Sequence, residues 1–109
     1  MTYVKINDTL YPAVINGRMA DIEWDNRESK AISLEMDYAT ANKLFVDGLE
    51  WSIVEEAEDD NGIIQQVEWD NSEFTVAGSI TDHRNGRVTV KMGKITDSEA
   101  LAELMEVLA

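Results

Sequence analysis

Apolar side chains recur at every second position through most of this chain, and short turn-forming clusters interrupt them. The alternating sets are Val4 and Ile6; Ile22 and Trp24; Ile32, Leu34 and Met36; Leu49, Trp51 and Ile53; Val67 and Trp69; Phe74, Val76 and Ile80; and Val88, Val90 and Met92. A period of two is the signature of strands with one buried face. Between them stand Asn7-Asp8, Asn16-Gly17, Asp25-Asn26, Asp60-Asn61-Gly62, Asp70-Asn71 and Arg84-Asn85-Gly86, residues that tolerate the backbone of tight hairpin turns. Short connections make sequential strands antiparallel neighbours. Pro12, the only proline, falls in the second strand and predicts an edge position or an interruption there, because proline has no N–H to give to a ladder.

The alternation stops at Asp37. Tyr38, Ala41, Leu44 and Phe45 follow helical spacing between an N-cap at Asp37 and a stop at Gly48. Near the end, Thr96 and Glu99 form a capping box, and Leu101, Leu104, Met105 and Leu108 fall on one stripe of a second helix. That stripe has two uses, covering the sheet or docking a second subunit, and cover within the chain is the default. The sequence therefore predicts an α+β, mainly β fold. It is an antiparallel barrel or sandwich of about eight short strands in two meanders, joined by a short crossover helix and closed by a C-terminal helix.

The 109 residues fit a single domain. Within it, segment 16–28 recurs 45 residues later as 61–73, sharing Asn-Gly, Glu-Trp-Asp-Asn and a final Glu at equal offsets. The repeat predicts one β unit used twice: a hairpin turn, a strand ending in a buried Trp24 or Trp69, and a second turn. Inward positions resume at an even offset after Trp24 and an odd one after Trp69, so one copy carries an extra residue, expected between Asp25 and Ser29.

Charge is the other strong constraint. The net charge is −13, and residues 44–83 hold 11 acidic side chains and no Lys or Arg. Such a surface repels phosphate backbones and attracts cationic partners, so direct nucleic-acid binding is disfavoured. Glu50, Glu55, Glu56, Glu58, Asp59, Asp60, Glu68 and Asp70 form the candidate interaction surface. A chain without Cys has no thiolate chemistry and fits a reducing compartment. No long apolar run or signal peptide is present, so neither membrane insertion nor secretion is expected.

No residue constellation points to catalysis, a metal or a cofactor. Asp59, Asn61, Gly62, Ile64 and Glu68 match part of a helix-loop-helix calcium loop, but Ala57 occupies its first ligand position and the flanks alternate as strands. An acidic hairpin turn accounts for the match. Trp, Asp and Asn at the repeated turns would suit a sugar, yet Trp24, Trp51 and Trp69 share the parity of core residues. His83, the only histidine, has no evident nucleophile, and Asp82 points to the opposite face.

The stretches NGRMADIEWDNRESKAISLEM, ANKLFVDGLEWSI and WDNSEFTVAGSITDHRNG resemble small proteins encoded by bacteriophages and prophages of Gram-positive bacteria, often near tail and other structural genes. The resemblance carries no catalytic motif. It implies a virion-associated or assembly protein, made in the bacterial cytoplasm, that binds other phage structural proteins. An acidic DNA mimic directed at host defence is the alternative, and it requires the eight carboxylates to form one stripe.

Overall fold

The computed structural model describes the backbone of residues 1–108 and the side chains of residues 1–106. Its strands are β1 (Thr2–Ile6), β2 (Thr9–Asp21), β3 (Arg27–Glu35), β4 (Ser52–Glu58), β5 (Ile64–Asp70), β6 (Val76–Asp82) and β7 (Arg87–Gly93), with helices α1 (Tyr38–Leu44) and α2 (Asp97–Leu108). All seven strands belong to one antiparallel sheet in the order β5-β4-β1-β2-β3-β7-β6. The fold is thus mainly β with two helices, as the alternation predicts, but the sheet is open, with β5 and β6 as free edges, and no barrel closes.

Seven strands replace the expected eight because Asn16-Gly17 is not a turn. Asn16 pairs with Ala31 and Gly17 with Lys30 inside a continuous β2, so long-range pairing overrides a local turn preference. The expected pair of meanders is also replaced. β1, β2 and β3 form a central meander, while the β4–β5 and β6–β7 hairpins flank it against β1 and β3.

This order forces the sheet to curl. Laid flat, seven strands at about 4.8 Å spacing would separate the two edges by roughly 29 Å. The connection 71–75 from β5 to β6 can reach at most about 22 Å. It crosses the concave side, where the Trp51 indole N–H donates to the Phe74 carbonyl at 2.8 Å and the Asn71 amide to the Trp51 carbonyl at 2.9 Å.

The concave side holds the core: Val4, Ile6, Ile32, Leu34, Trp51, Phe74, Val88, Val90 and Met92, joined by Ala41 and Phe45 from α1. Asp37 caps α1 as expected, its Oδ1 accepting the Thr40 amide at 2.7 Å, and the helix ends at Phe45, before the left-handed Gly48. Asn7 and Asp8 both have positive φ and close the β1–β2 turn, as the sequence implies.

The two copies of the repeated segment take different structures. Residues 61 and 62 belong to the β4–β5 turn, whereas residues 16 and 17 lie within a strand. Val67 and Trp69 lie in β5, whereas Ile22–Trp24 is a single 3₁₀ turn that the Asp21 side chain caps. Asp25 and Asn26 follow in left-handed geometry. The extra residue expected between Asp25 and Ser29 instead lies on β2, where Arg18 pairs with Ser29 and Asp21 with Arg27.

Pro12 shows both expectations in part. β2 is central in the sheet, yet it pairs with β1 only through Pro12 and with β3 from Ala13 onward, so the ladder changes partner there.

Of the three tryptophans, only Trp51 is a core residue, at 2% exposure. Trp24 packs outside the sheet, over Gly78, Gly93 and the Arg27 guanidinium, whose carbon lies 5.1 Å from the ring centroid. Trp69 is 48% exposed, because its edge strand has no covering element on that side.

The C-terminal helix departs most from expectation. Its capping box forms: the Glu99 amide donates to Thr96 Oγ1 at 3.2 Å and the Thr96 amide to Glu99 Oε1 at 2.9 Å. Yet among the described residues the helix does not cover the sheet. Leu101, Leu104 and Met105 are 58%, 55% and 62% exposed, and the Leu108 side chain lies outside the described residues.

Candidate functional site

Two surfaces stand out, the β4–β5 hairpin with the cleft beside it and the open face of α2. On the hairpin, register sorts the predicted carboxylates by face. Ser52 pairs with Asp70, Val54 with Glu68 and Glu56 with Gln66, so Glu56, Glu58, Glu68 and Asp70 share the convex face. Glu55 pairs with Val67 on the concave face. Glu50 lies in the loop before β4, and Asp59 and Asp60 lie at the hairpin end.

Several of these carboxylates have structural tasks. Asp59 Oδ1 accepts the Asn61 and Ile63 amides, both at 2.9 Å, and the Ile63 bond is the main reason its carboxyl is held below the usual range. That carboxylate closes a hairpin turn, while Glu68 is in mid-strand, 3.0 Å from Lys5 Nζ. The calcium-loop match therefore describes a turn and a strand. Asp70 accepts the Ser72 hydroxyl at 2.5 Å and its amide at 3.0 Å, which likewise lowers its pKa. Glu56 accepts from the Gln66 amide nitrogen at 3.1 Å.

Beside the hairpin, an open cleft of about 1210 Å³ separates β2 from the end of β5. Tyr11, Ala13, Val14 and Ile15 line its β2 side, and Ile53, Glu55 and Trp69 stand across from them. At its end Lys30 Nζ donates to Asn71 Oδ1 at 2.7 Å and sits 4.8 Å from the centroid of the Phe74 ring. Asn71 is buried, and its own amide nitrogen donates to the Trp69 carbonyl at 3.1 Å, so both ends of its side-chain amide are hydrogen-bonded. The sequence pointed to the hairpin acids but not to the cleft. Its available signal was the polar run Gln65, Gln66 and Glu68 around Trp69, which marks β5 as an uncovered edge.

The root of α2 is a second organised region. Arg27 forms a two-point pair with Glu99, at 2.6 and 3.0 Å, and also donates to the Lys94 carbonyl at 2.8 Å. The guanidinium, with the Thr96 amide, depresses the Glu99 pKa to about 2. Beneath the neighbouring 3₁₀ turn, Asp21 is fully buried and accepts Lys91 Nζ at 2.6 Å. The Lys91 bond holds the Asp21 carboxyl low, and the carboxylate raises Lys91 in return.

His83 Nε2 lies 2.8 Å from Thr89 Oγ1, which in turn lies 2.9 Å from Ser33 Oγ, a cross-strand chain that the sequence did not suggest. No cluster of three His, Asp or Glu side chains arranged to hold a metal occurs among the described residues, and no helix among them is long and apolar enough to cross a membrane. No protein family, curated protein or solved structure matches the chain.

Proposed function

We propose that this chain is a non-enzymatic structural or assembly protein of a bacteriophage or prophage, tail-associated, that works by binding other phage structural proteins. It is made in the bacterial cytoplasm and can pass into the virion, and it binds protein rather than nucleic acid or membrane. The observation that carries the reading is α2: a capped amphipathic helix, clamped at one end by Arg27, with Leu101, Leu104 and Met105 turned to solvent. A helix of this kind docks by laying its apolar side chains into a groove on a partner. Its other side carries Glu103 and Glu106, which favours a groove with basic rims. The phage assignment rests on the sequence resemblance.

Fractionation of particles and assembly intermediates from induced or infected cells tests this. The protein should travel with tail or tail-precursor fractions, and Leu101→Ser with Leu104→Ser should release it without unfolding the sheet. Recovery only as free protein would refute the reading.

The acidic convex face of β4–β5 favours a second reading, the DNA mimic. Same-face carboxylates two residues apart on a strand are spaced about 6.6 to 6.8 Å. Against it, Glu55 faces the other way, Lys5 pairs with Glu68, and Asp59 is occupied in its turn. Competition with duplex DNA for a host nuclease separates the two readings.

A further inference from the structure

The Asn16-Gly17 pair has no role as a turn, and the fold itself gives no reason for a glycine at position 17. Its φ is not in the positive region that favours glycine, and an added Cβ would meet nothing within 4 Å. Glycine inside a strand marks, among other things, a place where another backbone comes close. Gly17 lies on the part of β2 beyond its ladder with β1, and it lines the cleft together with Ala13, Val14 and Ile15, with Thr2 and Met1 at the end nearer Pro12. Beyond Pro12, β2 pairs only with β3, so the opposite edge of residues 13–17 has no strand partner among the described residues.

The chemistry of the far wall restricts what can lie there. Ile53 pairs with Trp69 and Glu55 with Val67, so Glu55 and Trp69 are diagonal neighbours on one face, close enough to share a ligand side chain. Among the charges of the cleft, Glu35 is matched by Arg87 at 3.4 Å and Glu73 by Lys94 at 3.5 Å. Glu55 and Asp70 make no ion pair among the described residues, while the two other cations of the cleft are held elsewhere, Lys30 by Asn71 Oδ1 and the Met1 ammonium by the Glu56 carbonyl. An exposed indole beside an unmatched carboxylate suits an ammonium or guanidinium group.

We propose that the cleft binds an extended basic segment of a partner protein, which adds as a strand to the open edge of β2 at residues 13–17 and lays a Lys or Arg side chain against Trp69 and Glu55. Main-chain hydrogen bonds to β2 supply affinity, and Gly17, on the same face as Ala13 and Ile15, leaves the cleft floor clear for the side chains of the incoming segment, a space that a branched residue there would fill. The site uses none of the residues of α2, so it stands or falls separately from the docking of that helix.

The probe is a short peptide of alternating lysine and valine, compared with the same peptide N-methylated at alternate amides and with a glutamate-for-lysine version. The first should bind saturably, slow amide exchange at Val14 through Gly17 and shift the Trp69 fluorescence. Both altered peptides should bind at least about tenfold more weakly, a difference of about 1.4 kcal/mol. Gly17→Val should keep the melting temperature and lose the peptide, and Glu55→Gln should weaken it. Equal binding of the N-methylated peptide would show attraction by charge alone and overturn the proposal. So would millimolar peptide that leaves the β2 amides unprotected, or a dimer of the free protein that Gly17→Val dissociates, since the edge would then belong to a second copy.

Discussion

Arg27 and Glu99, 72 residues apart, meet through two parallel hydrogen bonds and tie the root of α2 to the start of β3. Two-point guanidinium–carboxylate pairs are among the stronger polar contacts in proteins. Among the described residues few other contacts hold this helix, so the pair decides whether α2 is presented in a fixed direction.

Acid should release it. A carboxyl whose pKa is lower in the folded chain adds stability above its unfolded value and loses it as the pH falls through the folded value. For Glu99 that window runs from about 4.5 down to about 2. Amide protection in α2, taken relative to the slower intrinsic exchange in acid, should fall across it while the core of the sheet stays protected. Glu99→Gln should reproduce the acid behaviour at neutral pH, and exchange mass spectrometry distinguishes the two regions.

The Asp21–Lys91 pair should respond differently because it is buried. Lys91→Met leaves the buried carboxylate with only the more distant Arg18, at 3.9 Å, a costly arrangement at neutral pH. Without the lysine the bond that most lowers the Asp21 carboxyl is gone while burial still opposes its charge, so the variant loses less stability than the parent as the pH falls toward the unfolded carboxyl range, and its deficit shrinks. Urea melts at pH 7 and pH 4 should show the larger gap at pH 7.

The three tryptophans should separate on truncation. Trp51→Ala removes a fully enclosed indole and its hydrogen bond to Phe74, and costs about 3 to 5 kcal/mol of the roughly 5 to 15 available. Trp69→Ala should cost a small fraction of that, with Trp24→Ala between the two. Denaturant midpoints for the three variants check the order.

Gly93 is held small by its neighbour. A Cβ there would lie 2.7 Å from Trp24 Cη2 and collide with the Arg27 side chain; at Gly78 it would again be 2.7 Å from Trp24 Cη2. Gly93→Ala should therefore displace the indole and lower the melting temperature. Combined with Trp24→Ala it should cost less than the sum of the single changes, the coupling that a double-mutant cycle measures.

Local chemistry was legible in the sequence. The Asn7-Asp8 turn, the Asp37 cap, the Thr96 and Glu99 box, and the inward parity of Val4, Ile32, Leu34, Val88 and Val90 all depend on neighbours within a few residues. What was hidden depends on distant strands. Whether Asn16-Gly17 turns or extends is decided by pairing with Ala31 and Lys30, and Trp69 is exposed because β5 is an edge, a position at which the polar run of β5 hints but which the strand order decides. The hairpin acids were visible as a charge run. The cleft was not, because its walls come from β2, β4 and β5, which the curl of the whole sheet brings together.

The arrangement of β3 between β2 and β7 also sets a schedule for folding. β2 is adjacent in sequence and can pair early, but Ser33 meets Thr89 56 residues later in the chain. Contacts of such separation slow folding, since a long loop must close before they form. During synthesis the far edge of β3, with Ile32 and Leu34 beside it, stays unpaired until β7 leaves the ribosome. Until β7 arrives, that edge is an unpaired strand beside apolar residues, a template on which another chain could pair.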